Sequence, residues 1–189
     1  VAFKINAQQD PQYTQYMYNM NVINPAYAGS NDGVSFGFLY RDQWEGLEGA
    51  PKTATMNVHF PAGRNVGLGF SAIADEIGPV SETNLYIDFS YTLNFSNDNR
   101  LAFGVKAGGT FHDVGLANLT LIDQNDPFFA ADINENTPNV GAGVYFYKPN
   151  SYYISVSVPN ILESVHLDNN DFNIGSETRH IFAAAGYVF

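Results

Sequence analysis

Residues 85–95 alternate apolar and polar side chains without interruption. The odd positions are Leu, Ile, Phe, Tyr, Leu and Phe, and the even positions are Tyr, Asp, Ser, Thr and Asn. A period of two predicts a β-strand with one apolar face and one polar face. The segment is as long as a strand that crosses a bilayer at a tilt, for which about 9–11 residues suffice. This pattern therefore favours a membrane β-barrel over an enzyme fold.

Seven other segments show related patterns. The predicted strands occupy residues 33–41, 53–60, 66–74, 84–95, 100–111, 139–147, 152–158 and 179–189. Short turns are predicted at 61–65, 96–99 and 148–151, and long connections at 42–52, 75–83, 112–138 and 159–178. Bacterial outer-membrane barrels have an even number of antiparallel strands, short periplasmic turns and long external loops. We therefore predict an all-β, antiparallel transmembrane outer-membrane β-barrel, with about eight strands within residues 33–189.

The composition excludes several classes of protein. The chain has 8 Lys and Arg against 19 Asp and Glu, which gives a formal charge of −11. A nucleic acid partner is not expected, because the basic patch that binds phosphates is missing. The chain has no cysteine, so neither disulfides nor thiol-based metal sites are expected.

The N-terminal part of the chain does not alternate. Residues 1–7 are interpreted as the remnant of a secretory signal peptide. Residues 8–32 are rich in Tyr and Asn and are predicted to form a periplasmic arm or a plug segment. A plug suits the many glycines predicted to face inward, because an eight-stranded barrel normally fills its interior with side chains. These glycines are Gly37, Gly67, Gly69, Gly104, Gly108, Gly141 and Gly143. The chain is interpreted as part of a wider barrel, with a complete small barrel as the alternative.

Several polar residues also lie on the predicted inner face. They are Arg41, Asn57, His59, Asp88 and Lys106. One interpretation is that the charged members pair with one another and hold the arm, because buried charges require partners. The other interpretation is a selectivity ring for a solute.

Motifs for catalysis are missing from the sequence. There is no G-x-S-x-G, H-E-x-x-H or P-loop motif, and the four histidines are dispersed. We expect no catalytic residues and no cofactor. A calcium site is a weaker hypothesis for the acidic connection that contains Asp123, Asp126 and Asp132, although it lacks the EF-hand spacing.

An ordered set of short motifs resembles the PorP/SprF family, outer-membrane components of type IX secretion and gliding in Bacteroidetes. The motifs are residues 8–19, 24–30, 41–44 (Arg-Asp-Gln-Trp), 49–53 (Gly-Ala-Pro-Lys-Thr), 65–69, 75–79 and 123–127. The resemblance runs from about residue 8 to the end of the sequence. Members of the family continue further than this sequence does.

The resemblance implies a non-enzymatic platform that helps to secrete a cell-surface adhesin and retains its C-terminal domain. It also implies contact with periplasmic machinery through an OmpA-like peptidoglycan-binding lipoprotein. Candidate partner-binding residues are Trp44, Gly49, Pro51, Asp123, Asp126, Phe128, Phe129, Tyr13, Tyr16 and Tyr18. Trp44 has a second interpretation as an aromatic-belt residue at the lipid interface. The alternative functions are a porin-like or hydrophobic-solute channel and a soluble ligand-binding barrel.

Overall fold

The molecule is an antiparallel β-structure. The computed structural model describes residues 19–44, 46–47, 49–115, 133–162, 165–169, 172–176 and 179–188. The strands are β1 Ser35–Asp42, β2 Lys52–Pro61, β3 Val66–Ile77, β4 Val80–Asn94, β5 Arg100–Val114, β6 Ile133–Lys148, β7 Tyr152–Val158, β8 Val165–Asn169, β9 Phe172–Ser176 and β10 Phe182–Tyr187.

Eight of these strands form one curled sheet. Their order is β1-β2-β3-β4-β5-β6-β7-β10, and every neighbouring pair is antiparallel. β8 and β9 form a separate two-stranded sheet. The large sheet curls into a half-barrel, with β1 and β10 at its two edges. This architecture confirms the predicted fold class and is consistent with an outer-membrane β-barrel.

The two faces of the sheet have opposite character. On β4, Ile87 is 65% exposed on the convex face, whereas the next residue, Asp88, is fully buried on the concave face. The same alternation holds on β1, where Phe36 and Phe38 are exposed. Large apolar side chains are stable on an outer surface when that surface contacts lipid. The faces therefore match the prediction of an apolar outer side and a polar inner side.

A row of polar residues limits the apolar convex face at the end of the sheet that carries the long connections. The row crosses six strands at paired positions: Asp42, Lys52, Glu76, Ser81, Asp113 and Asn134. Below it, the apolar positions of the β4 region run from Leu85 to Phe95. That interval spans about 33 Å along a strand, or about 25 Å at a tilt of about 40°. The band therefore has the height of a bilayer-facing belt.

One predicted connection is wrong. β3 continues to Ile77 and β4 begins at Val80, so the long connection expected at 75–83 is only the turn at 78–79. Gly78 has a φ of 58° and supplies the left-handed conformation that a tight turn requires. β5 and β6 likewise continue beyond their predicted ends, to Val114 and back to Ile133. The pairs Ile77–Val80 and Val114–Ile133 therefore lie one position beyond the polar row.

Helical structure is sparse. One helical turn covers Met20–Ile23, and 3-10 turns cover Pro25–Tyr27 and Ser96–Asp98. In the ranges that the structure describes, no helix has the length and apolar character needed to cross a membrane.

Candidate functional site

Residues 19–29, here called the inner segment, lie across the concave face of the sheet. Nearly all of them are buried. Asn24 connects its two helical turns: its N–H bonds to the Met20 carbonyl, and its side-chain oxygen accepts from the Ala26 N–H at 2.9 Å. Pro25 follows at the first position of the second turn, where its fixed φ suits a helical start. These local hydrogen bonds and the proline stabilise the two turns of the segment.

A buried ion pair holds the centre of the inner segment. The Nζ atom of Lys106 on β5 lies 3.6 Å from Oδ1 of Asp88 on β4, and neither side chain is more than 1% exposed. Lys106 Nζ also donates to the carbonyl oxygens of Val22, at 2.5 Å, and Asn21, at 3.4 Å. Asn21 returns a hydrogen bond from Nδ2 to Asp88 Oδ2 at 3.0 Å. A buried charge pair is tolerated only with such additional hydrogen bonds, so the pair and the inner segment stabilise each other.

Hydrogen bonds from four strands attach the rest of the segment. They are Ser157 Oγ to Ile23 O at 2.7 Å, Asn24 Nδ2 to Ser155 Oγ at 2.7 Å and to Val144 O at 3.1 Å, Ser90 Oγ to Ala28 O at 2.6 Å, and Asn57 Nδ2 to Asn19 Oδ1. A buried backbone carbonyl without a hydrogen-bond donor destabilises the folded state. Ser90 and Ser157 supply donors to two carbonyls of the inner segment that lack a partner in regular secondary structure. The segment is therefore attached along its whole length.

Inward-facing glycines form the surface on which the inner segment lies. A Cβ added to Gly104 would overlap the backbone of Pro25 and Ala26, and one added to Gly67 would overlap the Ala28 carbonyl. The segment thus packs backbone against backbone at these positions. Any larger residue would push it away from the sheet.

Aromatic side chains surround the segment at the end of the sheet with the short turns. Tyr27 makes edge-on contacts with Tyr145 and His59, with ring centroids 5.3 Å apart in each case. Tyr145 stacks on Tyr147 at 4.7 Å. His59 Nδ1 accepts a hydrogen bond from the Gly29 N–H at 3.2 Å.

Charged and polar residues line the concave face at the long-loop end. Asp75 accepts a hydrogen bond from Thr53, and His112 Nδ1 lies 3.5 Å from Glu82 Oε2. The register places Glu135 beside His112 in the same row. No group of three such residues has the arrangement of a metal site within the described ranges. This row of Asp75, Glu82, His112 and Glu135 is called the acidic rim below.

The connection between β1 and β2 is held against the β3–β4 turn. Gly78 N–H donates to Gly49 O at 3.0 Å, and Gln43 N–H donates to Pro51 O, also at 3.0 Å. Trp44 has a φ of 56°, which is unusual for a bulky residue, and is 67% exposed. Trp44 therefore lies on the exterior, together with Leu47, which is also exposed.

The structure brings together only some of the residues singled out in the sequence. Asn57, His59, Asp88 and Lys106 are buried on the concave face, whereas Arg41 is half-buried near the long-loop end. Gly49 and Pro51 support the loop that carries Trp44. Tyr13, Tyr16, Tyr18, Asp123, Asp126, Phe128, Phe129 and Asp132 lie outside the described residues, and so does the calcium hypothesis.

Sequence reasoning missed the asparagines that organise the inner segment. Asn19, Asn21 and Asn24 are all buried, and each forms a hydrogen bond to a distant strand. The sequence did contain one signal. Several asparagines in a stretch without periodicity indicate side chains that bond to other segments, and inward glycines on the strands indicate room for that stretch against the sheet.

The geometry defines a class of protein: an antiparallel, half-barrel membrane structure with an apolar convex belt and an occupied concave face. The chain belongs to the PorP/SprF family of type IX secretion system membrane proteins. The model of this family matches residues 5–189. No curated protein and no solved structure matches the chain. Membership identifies a membrane component of type IX secretion.

Proposed function

We propose that this protein is a non-enzymatic outer-membrane platform of type IX secretion and gliding. On this proposal, its long-loop end helps to secrete a cell-surface adhesin and retains the adhesin's C-terminal domain. Its short-turn end contacts periplasmic components, among them an OmpA-like peptidoglycan-binding lipoprotein. The observation that carries the proposal is the inner segment, attached by the Lys106–Asp88 pair where a channel would need free space.

The apolar belt supports a position in the outer membrane. Proteins that cross that membrane are barrels with an outward apolar band about 25 Å tall and polar interiors. The belt from Leu85 to Phe95 has this height, and the polar row through Asp42 and Lys52 forms its upper boundary. Short turns at the opposite end then face the periplasm.

The loop around Trp44 supports a client-binding role for the long-loop end. Trp is enriched among the residues that dominate binding energy at protein interfaces. Here Trp44 and Leu47 are exposed on the connection between β1 and β2, which a hydrogen bond from Gly78 to Gly49 joins to the β3–β4 turn. The acidic rim beside it, with Asp75 and Glu82, adds charge that selects among partners.

A porin-like or solute channel is the second candidate. It is favoured by Asn139, which is 1% exposed on the concave face although neither polar atom of its side chain has a hydrogen-bond partner among the described residues. Thr137 Oγ1 and Ser71 Oγ are also buried and have no hydrogen-bond partner among the described residues. Such groups are usually satisfied by water, and a water-filled path along the concave face would satisfy these.

Two assays separate the candidates. Deletion of residues 116–132 with an Asn-Gly linker in their place, so that β5 and β6 can stay paired up to Val114 and Ile133, should abolish surface retention of the client while the barrel still inserts. Normal client display after that deletion would refute the platform proposal. In planar bilayers the purified protein should be electrically silent, whereas steady ion conductance would favour the channel.

A further inference from the structure

Part of β6, at the long-loop end, is an open edge inside the large sheet. β6 pairs with β5 along almost its whole length, but it pairs with β7 only over residues 142–148. β7 ends at Val158, and beyond it the described residues make one backbone hydrogen bond to β6, from Ile161 N–H to Val140 O at 2.8 Å. β8 and β9 pair only with each other among the described strands. Within the described part of the chain, residues 133–139 are therefore unpaired on the side away from β5, and this stretch is called the open edge of β6.

The hydrogen bond from Ile161 also shows which backbone groups face the open side. The Val140 carbonyl points away from β5, and alternate residues of a strand turn their backbone groups to the same side. Asn134, Asn136 and Pro138 therefore face the open side. Pro138 fits this assignment, because a proline within a sheet is confined to positions where its missing N–H costs no ladder hydrogen bond. The open edge thus offers the N–H and C=O groups of the two asparagines and the C=O of the proline.

The concave side of the same stretch carries buried polar groups that lack partners. Asn139 is 1% exposed, and neither polar atom of its amide has a hydrogen-bond partner among the described residues. Thr137 Oγ1, at the next position on the same face, is also buried without one in that part of the chain. A buried polar group without a partner destabilises a fold, so such groups are normally satisfied by another molecule. Side chains of a strand added along the open edge would lie close enough to both residues to do this.

The acidic rim determines the charge that such a strand would carry. Glu135 lies on the concave face of the open edge, in the row with Asp75 and Glu82. The rim therefore has three carboxylates against His112, and Arg41 continues the row on β1. Opposite charges on neighbouring strands attract and like charges repel, so a cation is favoured beside Glu135.

We propose that the open edge of β6 binds an extended, basic segment of a partner protein by strand addition. The backbone of the segment bonds to the free groups at residues 134–138. Its concave-facing side chains supply hydrogen bonds to Asn139 and Thr137 and a lysine or arginine beside Glu135. The inference rests on the proposed role of the long-loop end in partner binding, and it names the form and charge of the segment that binds there.

The test is fluorescence anisotropy on the full protein, purified in a neutral detergent, with three labelled peptides. The first is a short peptide in which valine alternates with threonine and lysine, so that its valines lie on the convex side. The second has the same sequence with an N-methyl group on each valine, which removes the N–H groups that would face β6 and keeps every side chain. The third has glutamate in place of lysine. We expect the first peptide to bind about tenfold more tightly than the second and about fivefold more tightly than the third.

Two variants at one position separate the backbone contribution from that of the side chain. Asn136→Pro removes the N–H at the centre of the open edge, whereas Asn136→Ala keeps that N–H and removes the side-chain amide. Because this N–H faces away from β5, the pairing of β5 with β6 is retained in both variants. We expect Asn136→Pro to weaken binding of the first peptide about tenfold and Asn136→Ala to change it by less than about twofold.

Equal binding of the unmodified and N-methylated peptides would overturn the proposal, and this comparison requires no variant to fold. Equal binding of the lysine and glutamate peptides would also overturn it. A dimer in detergent that Asn136→Pro dissociates would overturn it in favour of a second copy of the chain at the open edge.

The outcomes also distinguish this proposal from the platform role. Peptide binding as expected, together with normal client display after deletion of residues 116–132, would refute the platform role alone. Lost client display after that deletion, with no difference among the three peptides, would overturn strand addition alone.

Discussion

Replacing Lys106 by Met removes the cation from the centre of the inner-segment contact. Met retains most of the length of the side chain, so the change chiefly removes charge and hydrogen bonds. Asp88 then stays fully buried with no cation, and the carbonyls of Val22 and Asn21 lose their donor. Removing one partner of a buried pair costs about 3–5 kcal/mol. We therefore expect Lys106→Met to lower the free energy of unfolding by about 3–5 kcal/mol.

The protein is unfolded with urea in neutral detergent micelles. The folded fraction is measured at each urea concentration from heat-dependent gel mobility. Lys52→Met on the convex polar row is the control and should change stability by less than about 0.5 kcal/mol. Adding Asp88→Asn to Lys106→Met removes the uncompensated charge and keeps an acceptor for Asn21. The double variant should therefore recover about 2 kcal/mol. A Lys106→Met protein as stable as the control, or no recovery in the double variant, would refute the reasoning.

Three further predictions concern the belt, the glycine surface and the exposed loop. Phe89→Arg in the apolar belt should lower unfolding free energy by about 2–4 kcal/mol in lipid nanodiscs, whereas Ser81→Arg on the polar row should cost at most about 1 kcal/mol. Gly104→Ala should destabilise by about 1–3 kcal/mol and expose the inner segment to limited proteolysis, while Gly63→Ala, which has open space around it, should leave proteolysis unchanged. Trp44→Ala should reduce client capture in a pull-down without altering unfolding; undiminished capture would remove Trp44 from the binding surface.

The strands and their faces could be predicted because alternation is a local property. The ion pair was also within reach of the sequence. A tight turn at 96–99 sets the register of β4 and β5, and that register places Asp88 opposite Lys106. Prediction failed at 75–83, because both faces of the strands are polar above the belt and alternation disappears there.

The inner segment could not be built from the sequence, because its partners are distant along the chain. Asn24 bonds to Ser155, 131 residues away, and Asn21 bonds to Asp88, 67 residues away. Neither contact leaves a periodic signal.

The central claim is that the protein acts as an outer-membrane platform for a type IX client. It is tested most directly by affinity purification of the tagged protein from detergent-solubilised outer membranes of its native host, with mass spectrometry of the co-purifying proteins. The account predicts recovery of a large secreted adhesin together with type IX components, and loss of the adhesin alone when residues 116–132 are deleted. Recovery of the barrel without partners, combined with ion conductance in planar bilayers, would contradict it.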